Sequence, residues 1–333
     1  MPNSTKNLPN PTICKKYGAA FYLSSKDDCM TIDDGTIPVT ELIDLCAPDG
    51  AVALSPPPAV CIYRRNEPSA LEAHLYEPVL CMVLQGAKMM RSGEQSVHVS
   101  TGDALVVSQH LPVMSRITQA SPQEPYLAIV LSLNLTTLRE LYAQLDGLQD
   151  HEKSDGAFSC SPSDAAWIDP LHRYLDMARD PTTLFVLGPQ LLREIHFRLL
   201  TSSTGALLRG LLATDSYASR ISRSIVVIRQ QLSAPLRVPE IAEQIGMSNS
   251  AFHTHFKKVT GTTPLQYQKN LRLITGMDLL EHSGCTVASA AYEVGYESPT
   301  HFSRDYKRKF GQNPSASKRL SERRPNESSR SSA

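Results

Sequence analysis

The stretch Val238 to Pro264, VPEIAEQIGMSNSAFHTHFKKVTGTTP, is answered by a second one, Val287 to Pro314, VASAAYEVGYESPTHFSRDYKRKFGQNP. Both run through a short helical pattern, a Gly, a polar turn, a longer helical pattern, then Gly and Pro. Such internal repetition fixes the architecture before any single residue is interpreted. Phe252 and Phe256 are spaced as Phe302 and Tyr306 are, and the steps on to Gly261 and Pro264 match those to Gly311 and Pro314. Only the turn differs, being one residue longer in the second copy.

Each copy reads as a helix-turn-helix. Glu240 to Ile245 forms a helix that Gly246 ends in the left-handed conformation, and Ser248 caps the next helix by accepting a free backbone N–H. Phe252, Phe256 and Val259 fall at i, i+4 and i+7 and bury together, leaving Ser250, His253, Thr254 and Lys257 on the opposite face. In the second copy Phe302, Tyr306 and Phe310 bury while Thr300, Ser303, Arg304 and Lys307 point outward. Ser298 is its cap, and Pro299 suits the first helical position. A polar outer face of this kind is either solvated bundle surface or a surface shaped for the major groove. There Arg forks onto guanine, Ser, Thr and His bond base edges, and Lys and helix N-termini hold phosphates.

Two such units in tandem, on a basic segment, favour the groove. From Ser219 to Ala333 there are 17 Lys and Arg against 9 Asp and Glu, whereas the remainder has 16 against 24, so the formal charge of zero hides opposite ends. One end is built to meet a polyanion. Arg304 is the leading candidate for a base-specific contact; Lys257, Lys307 and the capped N-termini at Ser248 and Ser298 are candidates for phosphate. Between the copies, Thr263 and Pro264 open a helix to Glu281 of about 18 residues, about 27 Å long. That length would set the two recognition helices about 34 Å apart, one turn of DNA.

At 333 residues the chain has room for two domains, each with its own core. The reading is a loose leader over residues 1–30, a β-rich unit with linking helices over 31–213, the basic helical domain over 217–320 and a disordered tail over 321–333. A short helix is expected within residues 31–47. Between Ala51 and Leu133, apolar runs such as Pro78 to Leu84, Ser96 to Ser100, Ala104 to Val107 and Tyr126 to Leu131 are punctuated by turn residues, which suggests a small barrel or sandwich. Strand signals then stop. Thr136 to Leu145, Pro162 to Met177 and Gly188 to Leu200 carry helical periodicity, and the Leu191 to Leu200 stripe suits core or a dimer seam. No apolar run reaches membrane-spanning length and no export signal opens the chain, so a cytoplasmic protein is expected. Seven cysteines without CxxC pairs suggest neither a disulfide framework nor a zinc site.

The motifs Ile241-Ala242-x-x-Ile245-Gly246-Met247-Ser248, His255-Phe256-Lys257-Lys258-x-x-Gly261-x-x-Pro264-Leu265-Gln266-Tyr267 and Val294-Gly295-Tyr296-Glu297-Ser298 through Phe302-Ser303-Arg304 resemble the AraC/XylS family DNA-binding domain. The resemblance implies a regulator that binds double-stranded promoter DNA and contacts RNA polymerase, usually as an activator. Carried over by position, Ser250, His253 and Thr254 lie on the first groove, and Thr300, His301, Ser303 and Arg304 on the second. Arg272 matches a family arginine expected near phosphate. Gly276 and Met277 depart from the usual Ala and Arg, and a Gly inside a helix costs about 1 kcal/mol relative to Ala. The stretches Leu84 to Lys88, Gly102 to Ser108, Leu111 to Val113, Pro125 to Ala128 and Leu192 to Leu200 resemble the cupin-like regulatory half of one AraC subgroup.

The expected fold is therefore α+β with two domains: an N-terminal cupin-like β-barrel with accessory helices, and a C-terminal all-α domain of two helix-turn-helix units joined by a linker helix. The expected function is sequence-specific transcription regulation, with the β unit sensing a small-molecule effector or forming a homodimer. The alternative is a cupin-like metalloenzyme with a DNA-binding appendage. His74, His98 and His110 lie far apart in sequence, and no HxH with a following Glu, GxSxG, Walker loop, GxGxxG or HExxH occurs. No catalytic residue, metal ligand or cofactor is assigned, and no ligand-binding residue is named.

Overall fold

The computed structural model describes residue 42 and residues 50–54, 59–145, 154–214 and 216–316. The expected leader, all of the 31–47 helix except Leu42, and the tail lie outside the described residues.

Among the described residues there are ten strands: β1 Ala51–Ala53, β2 Val60–Arg65, β3 Glu72–Tyr76, β4 Val79–Gln85, β5 Ala87–Ser92, β6 Gln95–Ser100, β7 Asp103–Val107, β8 Leu111–Gln119, β9 Tyr126–Ser132 and, after a helix, β10 Phe158–Pro162. They form a six-stranded sheet in the order β1-β2-β9-β4-β7-β10 and a four-stranded sheet in the order β3-β8-β5-β6, antiparallel throughout. The β-rich unit is thus two facing sheets, with no ladder closing them into a barrel among the described residues.

The six-stranded sheet is buried on both sides, which is why β4 reads as an unbroken apolar run. Alternate residues separate the two environments. Leu80 and Met82 face a core of helices, whereas Val79, Cys81 and Val83 face the interior between the sheets. The helices on the outer side are α1 Leu135–Gln144, α2 Ala165–Met177, α3 Pro181–Thr201 and α4 Ala206–Leu212. Asn134, Asp164 and Asp180 cap the first three with their side chains. Leu191, Ile195, Leu199 and Leu200 are buried in this core, so the stripe on α3 is intradomain packing.

Strand β10 is a departure from the reading that strands end near Leu133. Its residues Phe158-Ser159-Cys160-Ser161-Pro162 lack an apolar alternation because it is a half-buried edge strand, paired with β7 from Phe158 opposite Val107 to Pro162 opposite Asp103. A terminal Pro is tolerated at such an edge, where a missing N–H breaks no ladder. The second helix accordingly starts three residues later than the periodicity suggests.

The described residues from Tyr217 onward are helical: α5 Tyr217–Gln230, α6 Val238–Gln244, α7 Asn249–Thr260, α8 Pro264–His282, α9 Val287–Glu293 and α10 Pro299–Phe310. Helices α6 and α7, and again α9 and α10, are the two helix-turn-helix pairs, with α8 between them. No helix among the described residues is long and apolar enough to cross a membrane.

Candidate nucleic-acid interface and interior cavity

Local sequence sets both recognition helices. Gly246 takes φ of 71° after α6, and the Ser248 hydroxyl accepts the Ala251 N–H to start α7. The Ser298 hydroxyl accepts the Thr300 N–H to start α10, and Pro299 occupies its first turn. Phe252, Phe256 and Val259 are fully buried beneath α7, with the Phe256 ring edge-on to Tyr267 of α8 at 5.4 Å. Phe302 and Tyr306 are fully buried beneath α10, and Phe310 is half-buried.

The opposite faces are open. Ser248, Ser250, His253, Thr254 and Lys257 of the first unit are exposed, as are Thr300, His301, Arg304 and Lys307 of the second. Ser298 and Ser303 are half-buried. No hydrogen bond or ion pair holds the Arg304 or Lys307 side chains among the described residues. The residues assigned to bases and phosphates therefore fall on two surfaces, one per unit, with one exception.

That exception is Arg272. Its Nε donates to Leu232 O at 2.8 Å, Nη2 to Ala234 O at 2.8 Å and Nη1 to Gly295 O at 2.9 Å. The guanidinium thus ties the loop before α6 to the turn after α9, uniting both units on the linker helix. Asp305 is a second tie that sequence reading missed: this buried carboxylate of α10 meets Lys269 of α8 at 2.7 Å and Arg308 at 2.6 Å. Gly276 has a packing cause as well. A Cβ there would lie 2.8 Å from the buried Phe302 ring, so the missing side chain lets α10 seat on α8. Such overlap costs about 1–3 kcal/mol, more than the propensity that Ala would restore.

The first unit also packs on the β unit. Ile221, Ile225, Phe252, Phe256 and Tyr267 share one apolar core with Val79, Val107, Leu111 and Val113. At the C-terminal end of α7, Ser92 Oγ donates to Thr260 O at 3.0 Å, Glu94 N to Gly261 O at 3.2 Å and Ala157 N to Val259 O at 3.1 Å. A Cβ on Gly93 would come 2.0 Å from Gly261 O, so only glycine permits this approach of the β5–β6 turn. Around it, Lys257 Nζ pairs with Glu94 at 3.0 Å and Lys258 Nζ with Asp155 at 3.2 Å. The Tyr267 hydroxyl donates to His110 O at 2.6 Å.

A cation meets a cation where the second unit approaches β5. Burial, and then the Arg91 guanidinium, press the Lys309 pKa down to about 8. The folded protein holds fewer protons than the unfolded chain between that value and the ordinary lysine value of about 10.4, so stability rises with pH across this window. Unfolding midpoints of the wild type should climb relative to Lys309→Met from about pH 8 to 10, as the same linkage requires. A constant difference over that range would show that Lys309 is not strained.

Between the two sheets lies a cavity of about 180 Å³, lined by residues of β2, β3, β4, β5, β8 and β9 and by Asp278 of α8. Lys88 projects into it from β5 and is 5% exposed. Its Nζ lies 3.1 Å from Cys81 Sγ on the facing sheet and 5.6 Å from the centre of the Tyr76 ring. Burial opposes the ammonium, but Cys81, Tyr126 and Tyr76 outweigh it and hold the Lys88 pKa well above the ordinary lysine value. Lys88 shares its strand register with buried Met90 and Ser92. His98, by contrast, is exposed on β6 beside Ser100.

The three histidines of the β unit do not converge. His74 faces Glu72 at 3.5 Å and His110 faces Glu77 at 3.6 Å. Among the described residues, His, Cys, Asp and Glu side chains close enough to share an ion meet only at Asp278, Glu281 and His282, on α8.

A β-rich unit carrying tandem helix-turn-helix pairs, with both recognition faces polar and basic, defines a DNA-binding regulator. Residues 56–207 match the AraC-type transcriptional regulator N-terminus and residues 241–319 match a helix-turn-helix domain. The chain belongs to the AraC-type transcriptional regulators. It is 31% identical to the HTH-type transcriptional activator RhaS of Escherichia coli over 100 residues, 30% of this chain and 36% of that protein. The match therefore spans about a third of the length of these curated relatives. Among solved structures, ToxT from Vibrio cholerae is similar with 11% identity and a TM-score of 0.47, covering 77% of this chain and 96% of that one. The DNA-binding domain of AdpA, in complex with a target DNA, is 27% identical with a TM-score of 0.31, covering 32% of this chain and 97% of that one.

Proposed function

We propose that α7 and α10 enter two successive major grooves of promoter DNA. Ser250, His253 and Thr254 read the first groove, and Thr300, His301, Ser303 and Arg304 read the second. Lys257, Lys307 and the helix N-termini at Ser248 and Ser298 hold phosphates. The observation that carries this reading is that two separate polar faces, each backed by a buried aromatic pair, are exposed on units sharing one linker helix. Arg272 acts here by clamping the two units through its three carbonyls. In keeping with the activator relatives, the chain activates transcription through contact with RNA polymerase. The β unit senses a small molecule, and two copies associate, for which exposed Phe185, Val186 and Leu187 on α3 offer an apolar surface.

Selection of bound duplexes from a random pool by the full chain tests the reading. Two blocks of preferred sequence, about 10 base pairs centre to centre, are expected per chain. Enrichment without sequence preference would reduce the protein to a charge-driven binder.

The Lys257–Glu94 pair places a competitor beside a phosphate ligand. Both groups are well exposed, so the pair is worth at most about 1 kcal/mol. Glu94→Gln is expected to strengthen binding to all sequences by up to about fivefold. Lys257→Ala and Lys307→Ala should weaken it on all sequences and reduce the salt slope by about one. A change confined to one base position in the selected site would contradict the phosphate role.

A further inference from the structure

We infer that the cavity between the sheets binds a compact organic anion, with its carboxylate on Lys88 Nζ and its apolar body against the strands of the larger sheet. This rests on the reading that the β unit senses a small molecule, and it names the ligand class and the residue that selects it.

A buried ammonium is tolerated only when opposite charge or several hydrogen bonds replace its lost water. Among the described residues Lys88 has no carboxylate partner; the groups that hold its charge are the Cys81 sulfur and the Tyr76 and Tyr126 phenols, none of them a fixed anion like a carboxylate. An ammonium offers three donors. One points at Cys81, which leaves capacity for a ligand oxygen. Val79, Ala128, Val130 and Ile117 supply an apolar wall, and Tyr63 and Tyr126 bring phenol groups to the same space. The volume of about 180 Å³ falls below the range of roughly 300–1,000 Å³ typical for drug-sized ligands, which selects a single ring or a short chain. Asp278 belongs to the helix that spaces the two recognition helices, so a ligand in the cavity would lie against α8.

The test is calorimetric titration of the full chain with cyclohexanecarboxylate and hexanoate, each against its uncharged amide. The acids are expected to bind about tenfold or more tightly than the amides, as a charge-assisted contact in a dry site requires. Lys88→Met should abolish that preference while leaving the far-ultraviolet spectrum unchanged. Cys81→Ala, which keeps the lysine and removes its present partner, should bind the acids at least as tightly as the wild type. Equal binding of acids and amides, or a preference that survives in Lys88→Met, overturns the anion site. So does a strong destabilisation by Cys81→Ala with loss of acid binding, because the sulfur would then be the counter-charge itself. If the amides bind and alter DNA affinity while the acids do not, the anion site falls and the sensory reading stands; if neither class binds, both fall.

Discussion

Replacing Arg304 by alanine is expected to cost about 1–3 kcal/mol against the preferred DNA site, roughly 5- to 150-fold in affinity, and to relax the preference at one base position. The side chain lies on the outer face of α10, and no protein group among the described residues holds it. Its neighbours are committed differently: Arg308 is tied to Asp305, and Lys309 is half-buried against Asn270. A free guanidinium fork beside a helix N-terminal turn is the geometry that pairs with the two acceptors of guanine. The loss should therefore concentrate on one sequence. Parallel titrations against the selected duplex and a scrambled one measure it, and equal loss on both would reassign Arg304 to the phosphate backbone. Arg304→Lys separates the roles further, because a lysine restores charge but not the bidentate fork.

Much of the helical half was legible because its signals are local. The caps Ser248 and Ser298, the turn at Gly246 and the buried spacing of Phe252 with Phe256 each follow from a few adjacent residues and recur in both copies. The features that escaped depend on partners remote in sequence. Lys88 reads as an ordinary strand lysine until β4 of the facing sheet places Cys81 against it. The three carbonyl acceptors of Arg272 lie some 23 to 40 residues away in sequence and come together only in the fold. Strand β10 shows no alternation because only its ladder to β7 makes it a strand. The packing of α7 against the β5–β6 turn likewise rests on contacts spanning more than 160 residues, such as Ser92 to Thr260.

Phe302→Ala should unfold the second helix-turn-helix unit while leaving the first in place. The ring is fully buried, edge-on to Tyr296 at 5.3 Å and tilted against Tyr306 at 5.5 Å, and it fills the space that Gly276 leaves open. Truncating a buried Phe costs about 3–5 kcal/mol in transfer and cavity terms. The core it belongs to is small: Leu273, Leu280, Ala290, Ala291, Val294 and Tyr306 are its other fully buried members. The first unit draws instead on the larger core shared with the β sheets, through Phe252, Phe256, Tyr267 and Leu271. A loss of this size exceeds what so small a cluster can absorb, whereas the shared core is untouched, so the damage should stay local. Amide exchange is the direct measurement: α9 and α10 should lose protection while α6, α7 and the strands keep theirs, and binding should shrink to the half-site read by α7. If α7 and α10 lose protection together, the units form one cooperative block joined through α8, and the two-core account of this domain fails.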